Sequence, residues 1–183
     1  MRALLALLVV AGCKDAQLEK AQASFDRYRR PDLVMAQLAL QPGDAVADVG
    51  AGRGYFTHRL AAAVGARGRV VATDVDFAAL QQIGAARAGE APIELRKVPP
   101  DQPSLEPGAY DLILLSEVDH LLPDRADWLR RAQAALKPGG RIAVVNRRTF
   151  RAPLLRAAAD AGMQVTGERD EIPAYFVVLL EVK

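Results

Sequence analysis

The sequence is short of several residue types, and each shortage closes off a class of function. One cysteine among 183 residues, Cys13, permits no intrachain disulfide and no cysteine-rich metal site. The two histidines, His58 and His120, stand far apart, and no HExxH or comparable ligand cluster accompanies them, so no metal site is expected. Aromatic residues make up 5%, too few for a base-stacking platform. With 24 basic and 22 acidic side chains the net charge is +2, which lacks the electropositive footprint of a nucleic-acid binder. There is no G-x-S-x-G elbow, no P-loop and no internal repeat. What remains, at 51% hydrophobic and 25% charged, suits one domain with a substantial core.

The longest apolar run at the start, residues 3–10, falls far short of the roughly 20 residues of a membrane-spanning helix. It follows Met1-Arg2 and leads through Ala11 and Gly12 to the cysteine, the pattern of an export signal. The ending "LVVAGC" resembles the lipobox of bacterial lipoproteins. That resemblance implies a signal peptide over residues 1–12 and a mature chain anchored to a membrane of the bacterial cell envelope, on its periplasmic or extracellular face, through acylated Cys13. More than one acyl chain is needed for stable attachment. The competing reading is a cytoplasmic protein with a buried N-terminal helix and an incidental cysteine. Residues 13–30 then read as a tether turning into an amphipathic helix, with apolar marks at Leu18, Ala21, Phe25 and Tyr28.

From residue 31 to 183 apolar strands alternate with helices. "AVADVG", "RVVATDV", "IELRKV", "YDLILLS" and "RIAVVN" read as strands, separated by helices at "YFTHRLAAAVG", "FAALQQIGAARAG" and "DRADWLRRAQAAL" and by the proline-rich loop "PPDQPSLEPGA". "KPGG" is expected to end the third of these helices. A further helix, "APLLRAAADAG", precedes two last strands, "MQVTGE" and "YFVVLLEV". This alternation predicts a parallel sheet covered on both faces. The last two strands are joined only by "RDEIPA", too short for a right-handed crossover, so the final strand is expected to be antiparallel.

"DVGAGRG" joins the first strand to its helix. Gly50, Gly52 and Gly54 allow a tight turn that brings main chain close to a ligand, at the carboxyl end of the sheet where open α/β proteins bind. The spacing G-x-G-x-G is not the G-x-G-x-x-G of dinucleotide dehydrogenases. Asp48, two residues ahead, would repel a pyrophosphate but suits a cationic or ammonium-bearing ligand. Asp74 ends the second strand, where a carboxylate accepts bonds from ribose hydroxyls. Together these residues suit a positively charged nucleoside without phosphates, and they count against a nicotinamide-dependent oxidoreductase.

These stretches, with "YDLILLSEVDHLL", "LKPGGRIAVV" and the closing "YFVVLLEV", resemble the class I S-adenosylmethionine-dependent methyltransferases over residues 31–183. The resemblance implies a Rossmann-like, doubly wound, mostly parallel seven-stranded sheet with an antiparallel last strand. It implies S-adenosylmethionine as cofactor and transfer of a methyl group to a small-molecule or protein acceptor. It places Asp48, Gly50, Gly52 and Gly54 around the methionyl part, Asp74 on the ribose, and Ser116 facing cofactor or substrate. Pro99-Pro100 occupy the place where the family offers an N–H to the adenine, and Asp101 is the expected substitute.

Methyl transfer from a sulfonium is an in-line displacement in which positioning carries much of the catalysis, and a base is needed only where the acceptor holds a proton. His120 is the first candidate base or orienting group, with Glu117 and Asp119 beside it. The plainer reading has these residues satisfy main-chain groups ahead of the helix that starts near Pro123. His58 is expected to face solvent, Arg147 and Arg148 to form a solvated basic rim, and Tyr28 to pack. One conflict stands: S-adenosylmethionine is made in the cytosol, and an exported enzyme would be cut off from it. An inactive, ligand-binding relative anchored to the membrane is therefore the alternative function.

Overall fold

The computed structural model describes residues 26–183. Its seven strands are β1 (Ala45–Val49), β2 (Arg69–Asp74), β3 (Ile93–Lys97), β4 (Tyr110–Ser116), β5 (Leu136–Arg147), β6 (Met163–Arg169) and β7 (Tyr175–Val182). They form one sheet in the order β3-β2-β1-β4-β5-β7-β6. All pairs from β3 across to β5 are parallel, and β7 runs antiparallel to both β5 and β6, as the short link 170–174 requires. The chain moves outward from β1 through β2 to β3 and then returns to β4. The switch point therefore lies between β1 and β4, and a crevice opens there at their carboxyl ends.

Alternation along the strands separates two cores. Ala47 and Val49 of β1, with Ile113 and Leu115 of β4, pack against Trp128 and Leu129 of α4 (Arg125–Ala132) and Leu154 of α5 (Arg151–Asp160). Val46, Leu112 and Leu114 face the other way, onto Val34 and Leu38 of α1 (Pro31–Leu38) and Leu60 and Val64 of α2 (Thr57–Val64). Each of these side chains is at most 6% exposed. Full burial of one such residue contributes about 1.5–3 kcal/mol, so the two faces hold the sheet between them. Asp48 shares the face of Val46 and therefore points under the glycine loop toward α2.

Three segments depart from the pattern expected of the sequence. The alanine-rich stretch after β2 is helical only over α3 (Phe77–Leu80), where Asp76 accepts the N–H groups of Ala78 and Ala79. Gly84 (φ +77) and Gly89 (φ +85) then take left-handed conformations that a helix cannot continue through. "KPGG" does not end a helix but lies inside β5, where the register against β4 shifts between Tyr110 and Leu112. The helix proposed ahead of Pro31 is described over residues 26–29, and the remainder of that reading, with the signal segment and Cys13, lies outside the described residues. Pro31 opens α1, at the first turn where its missing N–H costs nothing. The long loop after β3 is fastened by Glu106, which accepts from Arg96 at 2.9 Å, from Arg69 at 2.8 Å and from the Tyr110 hydroxyl. The Arg96 guanidinium beside Glu106 holds its carboxyl far below the usual carboxylate range.

Candidate active site

The glycine loop is fixed by main-chain bonds to its neighbouring strand. Gly50 and Ala51 donate to the carbonyl of Thr73 at 2.8 and 3.0 Å, and Gly52 donates to Asp74 Oδ2 at 2.8 Å. The second oxygen of Asp74 accepts from the N–H of Asp76 at 2.9 Å. Gly50 has no room for a side chain: a Cβ would sit 2.6 Å from Val118 Cγ2. At Gly54 a Cβ would come within 2.8 Å of Ile83 Cγ1. Both residues have positive φ, so close packing and backbone conformation make the same demand.

This loop borders a cavity of about 220 Å³ whose walls include Val49, Gly50, Asp74, Pro99, Glu117 and Trp128. It is an apolar space with a carboxylate at each of two edges. Asp48 lies beneath it, 2% exposed, and accepts the Thr57 hydroxyl at 2.7 Å. No cation among the described residues pairs with it. Burial pushes its carboxyl up to about 6, and the nearby charge of Asp74 adds to the rise.

The wall across from the loop is built by side chains. Glu117 follows β4 with φ +56, a strained conformation for a residue with a side chain, and its N–H donates to the carbonyl of Val145 at 2.8 Å. Its carboxylate accepts the Tyr175 hydroxyl at 3.0 Å, pairs with Arg29, and lies 3.6 Å from Arg147 Nε. Arg29 also stacks on the ring of Tyr55, 4.9 Å from its centroid, and Arg59 stacks on that ring at 4.7 Å. The Tyr55 hydroxyl donates to Asp26 at 2.6 Å, and Arg59 pairs with Asp26 at 3.0 Å. Residues 26–29 thus reach from the glycine loop to the end of β4.

Beside Glu117 lies a second cluster. Asn146, at the end of β5 and fully buried, donates its amide to Asp119 Oδ1 at 2.5 Å and lies 2.9 Å from His120 Nδ1. Its own oxygen accepts the N–H of Arg147 at 2.7 Å, which orients the amide nitrogen toward Asp119 and His120. His120 Nδ1 is therefore a hydrogen-bond acceptor, and the imidazole stacks on Phe150 at 4.1 Å. Asp119 is fully buried. Burial raises its carboxyl above the ordinary range, while Arg125 Nε stands 3.3 Å from Oδ2.

Of the residues singled out in the sequence, Gly50, Asp74 and Glu117 border the cavity. Asp48 lies beneath it, and Gly52 and Gly54 shape the loop from behind. Ser116 sits half-buried at the end of β4, off the cavity wall. Asp101 does not border the cavity. It is exposed, and its neighbour Gln102 lines the cavity instead. His120 and Asp119 are engaged with Asn146 and do not form the cavity wall. His58 is not solvent-facing: its ring is held between Glu90 at 2.8 Å and the carbonyl of Ile83 at 2.8 Å. Arg29, Asn146, Phe150 and Tyr175 were not identified from sequence. Asn146 left a trace as a polar residue closing an apolar strand; the other three left none.

The family described as "methyltransferase domain" matches residues 47–142. Among related proteins, the 27-O-demethylrifamycin SV methyltransferase of Amycolatopsis mediterranei is 29% identical over 161 residues, 85% of this chain and 53% of that one. The arsenite methyltransferase of Aquipseudomonas alcaligenes is 36% identical over 113 residues, 57% of this chain and 33% of that one. The chain thus spans about half, or less, of the length of these relatives. A crystal structure of a SAM-dependent methyltransferase from Aquifex aeolicus superposes with a TM-score of 0.79 at 20% identity, covering 92% of this chain and 98% of that one.

Proposed function

The chain belongs to the class I S-adenosylmethionine-dependent methyltransferase family, and from that membership we propose that it transfers a methyl group from S-adenosylmethionine to an organic acceptor, a small molecule or a protein side chain. The observation that carries this reading is the buried, cation-free carboxylate of Asp48 beneath a loop whose main chain is exposed to the cavity. A positively charged ligand above it supplies the missing counter-charge.

When bound, the cofactor supplies a methyl group activated by its sulfonium. The chain does the rest by placement. Each Asp74 oxygen already accepts one main-chain N–H, and a carboxylate has further lone pairs to offer a pair of hydroxyls. Gly50 lets main chain approach closely, Val118 closes the turn behind it, and Trp128 and Pro99 give apolar walls that exclude water. The likeness to an arsenite methyltransferase raises a metalloid acceptor, but such soft, thiophilic ions are held by thiolates, and this chain carries one cysteine. An organic acceptor suits it better.

Calorimetry on the full chain tests the site. S-adenosylmethionine and S-adenosylhomocysteine are expected to bind and NAD is not, and Asp74→Ala is expected to abolish binding. Unchanged binding by Asp74→Ala, in a sample that unfolds like the parent, would remove Asp74 from the site.

The stretch "LVVAGC" supports a further part of the same proposal, that the chain is held at a bacterial cell envelope through lipid on Cys13. Metabolic labelling with palmitate is expected for the parent and not for Cys13→Ser. Label that persists in the variant rules the anchor out. If the anchor is real and faces outward, cofactor supply becomes the limiting question, and a ligand-binding role without turnover gains weight.

A further inference from the structure

We infer that the end of the domain where the cavity opens docks on a lipid bilayer, with Leu121, Val75, Phe77 and Tyr28 entering its interface. This goes beyond the anchor proposed at Cys13 and rests on it: lipid there ties the chain to a membrane but does not choose the face it presents.

The large apolar side chains left exposed are gathered rather than scattered. Leu121 is 67% exposed, Val75 51% and Phe77 41%. Leu121 and Val75 both line the cavity, as do the exposed Pro99 and Pro100. These residues follow β4, β2 and β3, so they rim the opening from three loops at the carboxyl ends of the strands. Phe77 stands two positions on from Val75, at the start of α3. Tyr28, 61% exposed, belongs to residues 26–29, which pass along the same end between Tyr55 and Glu117. The remaining two among the described residues, Val165 and Val182, lie on β6 and β7. A single exposed apolar side chain is ordinary, but several round one opening mark a contact surface.

The place of Asp26 points to what covers that surface. Asp26 accepts the Tyr55 hydroxyl at 2.6 Å and pairs with Arg59 at 3.0 Å, and both partners follow the glycine loop. The described chain therefore enters at the carboxyl end of the sheet, and from Cys13 to Asp26 it can span at most about 45 Å. The opposite end of the sheet is about 20 Å farther off, the length of a six-residue strand such as β2. A lipid on Cys13 thus holds the apolar end toward the bilayer. A domain tethered so closely meets that bilayer at high effective concentration, where a small patch suffices. No helix among the described residues is long and apolar enough to cross a membrane, so the contact stays at the interface. A tyrosine suits that place, because one end of its side chain is apolar and the other wet. The same reach lets the domain lift away and take up donor.

The test supplies the lipid chemically. Through its one thiol, Cys13, the full chain is coupled to a maleimide lipid in phosphatidylcholine vesicles, and its amide hydrogen exchange is compared with that of the uncoupled chain. S-adenosylhomocysteine is present in both samples, so its own effect cancels. Exchange on vesicles is expected to slow at residues 75–78, 101–102 and 120–122, and to stay unchanged at 66–67 and 139–140, at the other end of the sheet. Val75→Ser with Leu121→Ser, both at exposed positions, should keep the melting temperature and lessen the slowing about tenfold. Residues 1–12 are the same in parent and variant, so that difference belongs to the patch. Slowing at both ends alike, slowing at neither, or equal slowing in the variant overturns the inference. So does the same protection in the uncoupled chain as its concentration rises, which would make a second copy of the chain the occupant. The anchor reading fails separately, through palmitate label that persists in Cys13→Ser, whatever the exchange shows.

Discussion

The loop beside the cavity that follows β1 is held to β2 largely through main-chain N–H groups, and the cluster at the ends of β4, β5 and β7, of which Glu117 borders the cavity, is held by side chains. In the first, the glycine loop bonds to Thr73 and Asp74 through its own N–H groups, and close packing leaves no space for a Cβ at Gly50 or Gly54. In the second, Glu117, Tyr175, Asn146, Asp119 and Arg147 meet from separate parts of the chain, with Glu117 and Tyr175 58 positions apart. Main chain held this way has one arrangement. Side chains that share partners can trade them. The rigid half therefore suits a constant ligand, and the exchangeable half suits an acceptor that must enter and leave.

The largest effect expected is on the rigid half. In Gly50→Val the new side chain meets Val118 at a distance no Cβ tolerates, in a backbone conformation that valine avoids. Overpacking of this kind costs about 1–3 kcal/mol, and the positive φ adds about 1 kcal/mol or more. Donor binding should vanish in calorimetry and the melting temperature should fall. Wild-type affinity in this variant would mean that the loop is not the rigid element described.

The next effect separates binding from stability. Asp48 is ionised at neutral pH in a buried place, and burial holds its folded-state pKa at about 6, above the ordinary aspartate value of 3.8. Because the folded value is the higher one, the folded state is favoured most when the group is protonated. Stability falls as pH rises from about 4 to about 6 and is level beyond. The gap of roughly two pH units corresponds to about 3 kcal/mol. Asp48→Asn keeps the shape and lacks the charge, so it should be more stable than the parent at pH 8 and little different at pH 4, while binding the cationic donor less well. Urea unfolding at both pH values, with calorimetry at pH 8, checks this. An equal stability change at both pH values would mean that the cost does not come from ionisation.

The same contrast explains what could be read from the sequence. The alternation of strands and helices, the antiparallel end and the glycine loop follow from local signals: apolar runs, turn residues and a link too short to cross over. Asp74 was legible because its position at the end of β2 is set by the strand itself. The second wall was not legible, since nothing near Glu117 in the chain says that Arg29 and Tyr175 will meet it. For His120 the sequence shows a histidine after a strand but not the Asn146 amide that faces its ring nitrogen. Gln102 rather than Asp101 reaches the cavity, since a proline-rich loop lacks the alternation by which a strand announces which side chain points inward.

The smallest effect tests whether the two walls act together. Arg29 touches both: it stacks on Tyr55, which follows the glycine loop, and it pairs with Glu117. The pair is partly exposed, with side chains 27% and 19% accessible, so water screens it and its contribution is about 1 kcal/mol or less. Arg29→Ala should therefore lower stability only slightly. It should also speed donor release in stopped-flow measurements, because it unfastens residues 26–29 from the β4 end while Asp26 still holds them to Tyr55 and Arg59. The exchanged pair Arg29→Glu with Glu117→Arg restores the attraction but places a negative group over the Tyr55 ring, where a cation had stacked. If the pair alone fastens residues 26–29 to the β4 end, the exchange recovers the slow release of the parent. If release stays fast, the stacking on Tyr55 is the stronger tie, and the glycine-loop wall governs access as well as binding.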